Sequence, residues 1–164
     1  MLSAKAFAIN EQDNVHFSGT LVADPCVIPP GEEEIVLDFG SVINKDLYVN
    51  GRTVGQPFSL HLTECDPAIS ETVFVRFLGT ESSVLPGRLA LDPGSTASGV
   101  AIGLESEDGV IIDLGEATAA TAIQAGDMHL KYMAYVEAEP DAIAGTAIMM
   151  GVFSATATFS LEYE

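Results

Sequence analysis

GVFSATATFSLEYE, residues 151–164, alternates from its first residue to its last. Gly151, Phe153, Ala155, Ala157, Phe159, Leu161 and Tyr163 fall on one side. Val152, Ser154, Thr156, Thr158, Ser160, Glu162 and Glu164 fall on the other. A period of two marks a β-strand with one buried face, and β-branched and aromatic residues suit its pleated surface. No turn, returning strand or polar tail follows in the sequence. A sheet that stops there leaves a row of unpaired N–H and C=O groups, which proteins normally blunt or cover. The expectation is that something outside the domain covers this edge.

Working back from that strand, the chain reads as short alternating segments separated by turn residues, the pattern of a β-sandwich. Phe58, Leu60 and Leu62 alternate with Ser59, His61 and Thr63 up to Cys65. Val73, Val75 and Phe77 follow, then a short segment at Leu89 and Leu91. Residues 100–104 and 110–114 flank Asp108-Gly109, a hairpin signal. Leu130, Tyr132, Ala134 and Val136 come next, and a loop with Pro140 and Gly145 leads to the terminal strand. Nearer the start, Ile35, Leu37 and Phe39 read as a strand after Pro29-Pro30-Gly31. No long segment has helical periodicity. The fold class is all-β, an immunoglobulin-like sandwich.

Composition narrows the function. A 164-residue chain that is 48% apolar is long enough for one domain with a sizeable core. Its net charge of −18, from 6 Lys+Arg against 24 Asp+Glu, lacks the basic footprint of nucleic-acid or anionic-membrane binding. It suits a solvated acidic surface or a basic protein partner. No apolar run approaches the roughly 18 residues of a membrane span. Residues 1–8 end in Ala6-Phe7-Ala8, the small-x-small form of a leader cleavage site. They read as the stub of a signal peptide or an artificial start, with the mature chain beginning near Ile9.

No catalytic constellation appears, and the chain does not read as an enzyme. His16, His61 and His129 lie on separate strand patterns beside polar neighbours and read as exposed. There is no G-x-S-x-G elbow and no EF-hand spacing. Glu32-Glu33-Glu34, beside the Pro-Pro-Gly turn, reads as a solvated loop tip. With no tryptophan, a sugar-stacking cleft is not expected. No cofactor or metal is implied. The two cysteines, Cys26 and Cys65, are too far apart for a redox pair and lack a zinc-ligand cluster. They read as one disulfide of an oxidising compartment, with two unrelated buried thiols as the alternative.

A second orphan strand sits at the other end of the chain. Val15, Phe17, Gly19, Leu21 and Ala23 alternate with polar residues just before Pro25-Cys26. An open edge and a spare strand in one molecule suggest strand addition between neighbours, with main-chain hydrogen bonds for affinity and side-chain pockets for specificity. Such a head-to-tail contact does not close on itself and builds a filament. The alternative is that the N-terminal strand folds back onto its own domain.

At these residues the chain resembles the pilin subunits of the chaperone–usher pathway of Gram-negative bacteria, and the adaptor or minor subunits of P pili in particular. Gly151 with the penultimate Tyr163 matches the family's C-terminal assembly motif, and Phe153 to Glu164 its last strand. Phe17-Ser18-Gly19-Thr20-Leu21 before Pro25-Cys26 is similar to its donor strand. Pro57 to Leu62, leading to Cys65, is similar to the strand carrying the second disulfide cysteine. The runs Phe77 to Leu89 and Ala134-Tyr135-Val136 with Pro140 resemble the adaptor subunits.

The resemblance implies an immunoglobulin-like sandwich lacking its last strand, completed by a donor strand from a partner. It divides the chain into a donor extension over 9–24 and a pilin domain over 25–164. A periplasmic chaperone would fill the groove first, its basic residues holding the carboxylate of Glu164. At the outer-membrane usher the next subunit's extension would replace it, and the polymer would reach the cell surface as a fimbria. Val15, Phe17, Gly19, Leu21 and Ala23 would enter a neighbour's groove. Gly151, Phe153, Ala155, Ala157, Phe159, Leu161, Tyr163 and Glu164 would form the acceptor and chaperone-recognition strand, with Gly151 leaving room for a bulky donor side chain. The alternatives are a receptor-binding adhesin module and an assembly-terminating pilin.

Overall fold

The computed structural model describes residues 15–35 and 37–164, so the leader expected at residues 1–8 and the start of the expected extension lie outside the described residues. Two antiparallel sheets face one another. The strands are β1 (Gln56–Cys65), β2 (Thr72–Gly79), β3 (Val100–Ser106), β4 (Ile111–Ile112), β5 (Thr121–Ala122), β6 (Gly126–Ala138) and β7 (Ala157–Tyr163). One sheet has the order β1-β6-β3-β4 and the other β5-β2-β7. The alternation read from the sequence fixes which faces meet. Leu60 and Leu62 of β1, Val73, Val75 and Phe77 of β2, and Leu130, Tyr132 and Ala134 of β6 are buried. The Phe77 ring meets Tyr132 edge-on across the sandwich at 5.3 Å, with Phe58 5.8 Å from Tyr132.

Two short helices add to the all-β plan, α1 (Asn44–Asn50) and α2 (Pro140–Ala144). Neither is long enough to show a helical period in sequence. α1 ends because Gly51 takes a left-handed conformation, φ 76°, and its N–H donates back to the Leu47 carbonyl at 2.8 Å. α2 starts on Pro140, whose fixed φ suits a first helical turn.

Two expected strands differ. Leu37 and Phe39 do pack against the core, but residues 37–39 form no strand. Their backbone groups have no ladder neighbour among the described residues, because that flank borders the uncovered part of the sandwich. Residues 89–91 make only isolated bridges, Leu89 with Glu81 and with Ile102.

Cys26 and Cys65 form a disulfide, both buried. It ties the start of the domain to the end of β1. Next to it, Val27 and Thr63 exchange two backbone hydrogen bonds of 2.8 Å each, so residues 26–28 extend the β1 edge of the larger sheet.

Candidate strand-accepting groove

Along one edge β7 pairs with β2, from Gly79↔Ala157 to Val73↔Tyr163. Its other edge has no strand partner among the described residues. Burial records the gap. Val73 and Val75 are 0% exposed on β2. Tyr163 and Leu161, directly opposite them in register, are only half-buried, as is Phe159 beside Phe77. Both strands turn the same face inward, so the difference comes from a missing neighbour rather than from sequence.

The opposite wall is the segment after the disulfide. Cys26, Val27 and Ile28 face Phe159, Leu161 and Tyr163 across a depression of about 320 Å³, with Asp24 at its end. Burial raises the Tyr163 phenol pKa, and the Asp24 carboxylate adds to the effect. Farther along, the Phe39 and Phe153 rings lie 6.1 Å apart. The floor is thus apolar: Phe153, Ala155, Phe159, Leu161 and Tyr163 all pack on the core. Ala157 shares their face by register but stays exposed.

The first half of the alternating stretch is held differently from the second. The Asp92 N–H donates to Ser154 O at 2.7 Å and the Thr96 N–H to Val152 O at 2.9 Å. The Val152 and Ser154 N–H groups donate to Thr96 Oγ1 and Ser95 Oγ at 3.0 and 3.1 Å. A Cβ on Gly151 would lie 2.9 Å from Ala97 N and from the Thr96 carbonyl carbon. The close approach at Gly151 is therefore to its own 96–97 backbone. At the far end, the Glu164 N–H donates to Thr72 O, and the Glu164 main-chain oxygen accepts from the Glu71 and Thr72 N–H groups, 2.8 Å each. The loop 92–97 and the wall at 26–28 carry no signal in the sequence that links them to residues 151–164.

The donor candidates lie elsewhere. Residues 15–24 form no strand and all are exposed, Phe17 at 88% and Leu21 at 101%. Nothing lies within 4 Å of a Cβ built on Gly19. Residues 15–24 do not occupy their own domain's groove.

His61 and His129 do come together, stacked at 4.5 Å as cross-strand partners on β1 and β6. His61 Nδ1 also sits 2.7 Å from Glu32 Oε2, so the Glu32 loop tip is held rather than free. Among the described residues no group of three His, Cys, Asp or Glu side chains is placed to hold a metal.

Residues 15–164 match the family model described as fimbrial protein. An uncharacterised fimbrial-like protein of Escherichia coli, YfcP, is 33% identical over 99% of this chain and 88% of its own length. The fimbrial adapter PapK of Escherichia coli is 30% identical over 92% of this chain and 87% of its length. Among solved structures, the P pilus rod subunit PapA superposes with a TM-score of 0.73 at 25% identity, covering 86% of this chain and all of PapA.

Proposed function

The chain belongs to the fimbrial protein family, and from that premise we propose that it joins its neighbours by donor-strand exchange. It is a structural, non-enzymatic pilin that associates with other pilin subunits in a surface pilus of a Gram-negative bacterium. The extension, residues 9–24, is the donor. The groove along β7 is the acceptor. One observation carries the proposal: among the described residues the molecule has an uncovered apolar strip beside β7 and an exposed segment of alternating apolar residues at 15–23.

Folding back would be constrained at the start of the domain. The strand would have to reverse at Asp24-Pro25 and pass between β7 and residues 26–28. Pro25 and Cys26 are buried, Cys26 is disulfide-bonded and Val27 is bridged to Thr63. Only Asp24 and Pro25 lie between Ala23 and Cys26 to make that reversal, and Pro25 is buried. We therefore read the donor as coming from another molecule. By the same logic a periplasmic chaperone supplies the temporary cover before the usher, and an edge this apolar needs one to avoid aggregation.

Removing residues 1–24 tests the reading. The truncated chain is expected to fold, to be captured by the cognate chaperone and to accept a donor peptide, yet to fail to insert into a preceding subunit. Normal assembly by the truncated chain, read as fibre length by electron microscopy, overturns the donor role. Replacing Gly151 or Tyr163 is expected to weaken chaperone capture; unchanged co-purification counts against the acceptor motif.

A further inference from the structure

Resting on that strand-exchange reading, we propose that Arg76 is a positioning residue for the acceptor strand. From the outward face of the smaller sheet it pins β7 to β2, so that β7 is already in order when a strand docks.

The need arises from how β7 is held. Thr72 and Glu164 exchange two backbone hydrogen bonds, the Thr72 N–H donating at 2.8 Å and the Glu164 N–H at 3.0 Å. In an antiparallel ladder such pairs alternate with non-bonded ones, so Glu162, Ser160 and Thr158 turn their backbone groups to β2. Tyr163, Leu161, Phe159 and Ala157 turn theirs to the open edge. Among the described residues β7 thus has a single ladder, on one side only. A strand held in this way opens more readily than one with two neighbours.

β2, by contrast, is a firm platform. Val73 and Val75 are buried, and the side away from β7 is also bonded. There Phe77 O accepts from the Gly115 N–H and Val75 O from the Thr118 N–H, 2.8 Å each. Arg76 sits in the middle of β2, opposite Ser160. Its Nε donates to Glu162 Oε1 at 2.9 Å and its Nη2 to Glu162 Oε2 at 3.2 Å, while Nη1 donates to the Gly115 carbonyl. One guanidinium therefore spans the smaller sheet, from residue 115 across β2 to β7. The fork-to-carboxylate geometry fixes direction as well as distance.

Among the described residues this is the only side-chain hydrogen bond made to residues 157–163. The flanks of β7 are tied elsewhere, at the 92–97 loop and at Thr72. Arg76 holds what lies between them. It does so from the outward face, on the far side of the sheet from the apolar groove floor. That separation sets the consequence. A chain whose β7 is ordered for only part of the time binds a strand with an affinity reduced by the ordered fraction. Once a strand is docked, β7 has a ladder on each edge and the outward pair adds little. Losing the pair therefore slows capture and leaves release unchanged.

The experiment compares the full chain with Arg76→Gln, with Arg76→Glu and with the charge swap Arg76→Glu plus Glu162→Arg. Amide hydrogen exchange at Thr158, Ser160 and Glu162 is expected to quicken in Arg76→Gln and further in Arg76→Glu. It is expected to recover in the swap, with β6 unchanged throughout. The probe strands are a peptide of residues 15–25 and an extension peptide from another fimbrial subunit. Whichever binds the parent chain is expected to bind Arg76→Gln about two- to fivefold more weakly, the range of an exposed ion pair, with the whole loss in the association rate. Unchanged exchange in β7 overturns the positioning role whether or not a peptide binds. Exchange that quickens equally in β6, or a loss carried by the release rate, makes Arg76 a general stabiliser and overturns it too. Failure of both peptides on a parent chain whose β7 exchange does depend on Arg76 removes the strand-exchange reading, and the acceptor role falls with it.

Discussion

Glu105 is the one charged residue that is buried among those described, at 6% exposure. Arg52 holds it with two hydrogen bonds, Nη1 to Oε2 at 2.9 Å and Nη2 to Oε1 at 2.8 Å. The same guanidinium lies 3.5 Å from the centre of the Tyr135 ring, a cation–π contact strengthened by burial. The ring in turn lies against Gly103, where any Cβ would overlap it. The Arg52 hydrogen bonds hold the Glu105 carboxyl below the usual carboxylate range, against the opposing effect of burial. A depressed folded pKa stabilises above the unfolded value, near ~4.3 for glutamate, and that stabilisation is lost as pH falls through the folded value. Glu105→Gln is expected to cost about 2 kcal/mol at neutral pH, because it leaves a guanidinium short of its partner. Urea titrations from pH 7 to 3 check this: the variant and the parent chain converge at the acid end. A parallel offset at all pH values removes the ion-pair account. Nothing in the sequence joins Arg52 to Glu105. They are 53 residues apart, and only the sheet register brings β3 beneath the α1–β1 connection.

Strands β2 and β7 are neighbours with matched alternation, yet they do different work. Val75 is sealed by both sheets, so Val75→Ala removes buried contacts and is expected to destabilise the isolated chain by about 2 kcal/mol. Phe159 lies half-open on the groove floor. Phe159→Ala is expected to cost the isolated chain less, while donor-peptide affinity falls at least tenfold. Thermal melts with and without the peptide separate the two effects; equal losses on both strands sink the distinction. The alternation of both was legible because an inward face forces a period of two. The pattern at Leu37 and Phe39 was equally legible, and those side chains do turn inward. What failed was the step from pattern to strand, since a strand also needs a hydrogen-bonded neighbour.

For the molecule as a whole, acidic charge far exceeds basic charge. Arg52, Arg76 and Arg88 are each committed to carboxylates: Arg52 to Glu105, Arg76 to Glu162 and Arg88 to Glu137 and Asp113. The remaining acidic excess repels itself across the surface. Raising the ionic strength shortens the screening length from about 30 Å at 0.01 M to about 3 Å at 1 M. The thermal midpoint of the isolated chain is therefore expected to rise by several degrees over that range, without a change of fold. A midpoint that falls with salt means that the ion pairs outweigh the repulsion.

The sequence by itself determined the fold class, the inward and outward sets of the longer alternating strands, and the alternating apolar pattern at each end. These follow from local periodicity and composition, which need no knowledge of neighbours. Only the tertiary structure decided that the extension leaves beside Tyr163, that residues 26–28 face β7, and that Gly151 serves its own 92–97 loop. Each of these depends on which distant segments pack edge to edge, and a one-dimensional pattern does not contain that distance.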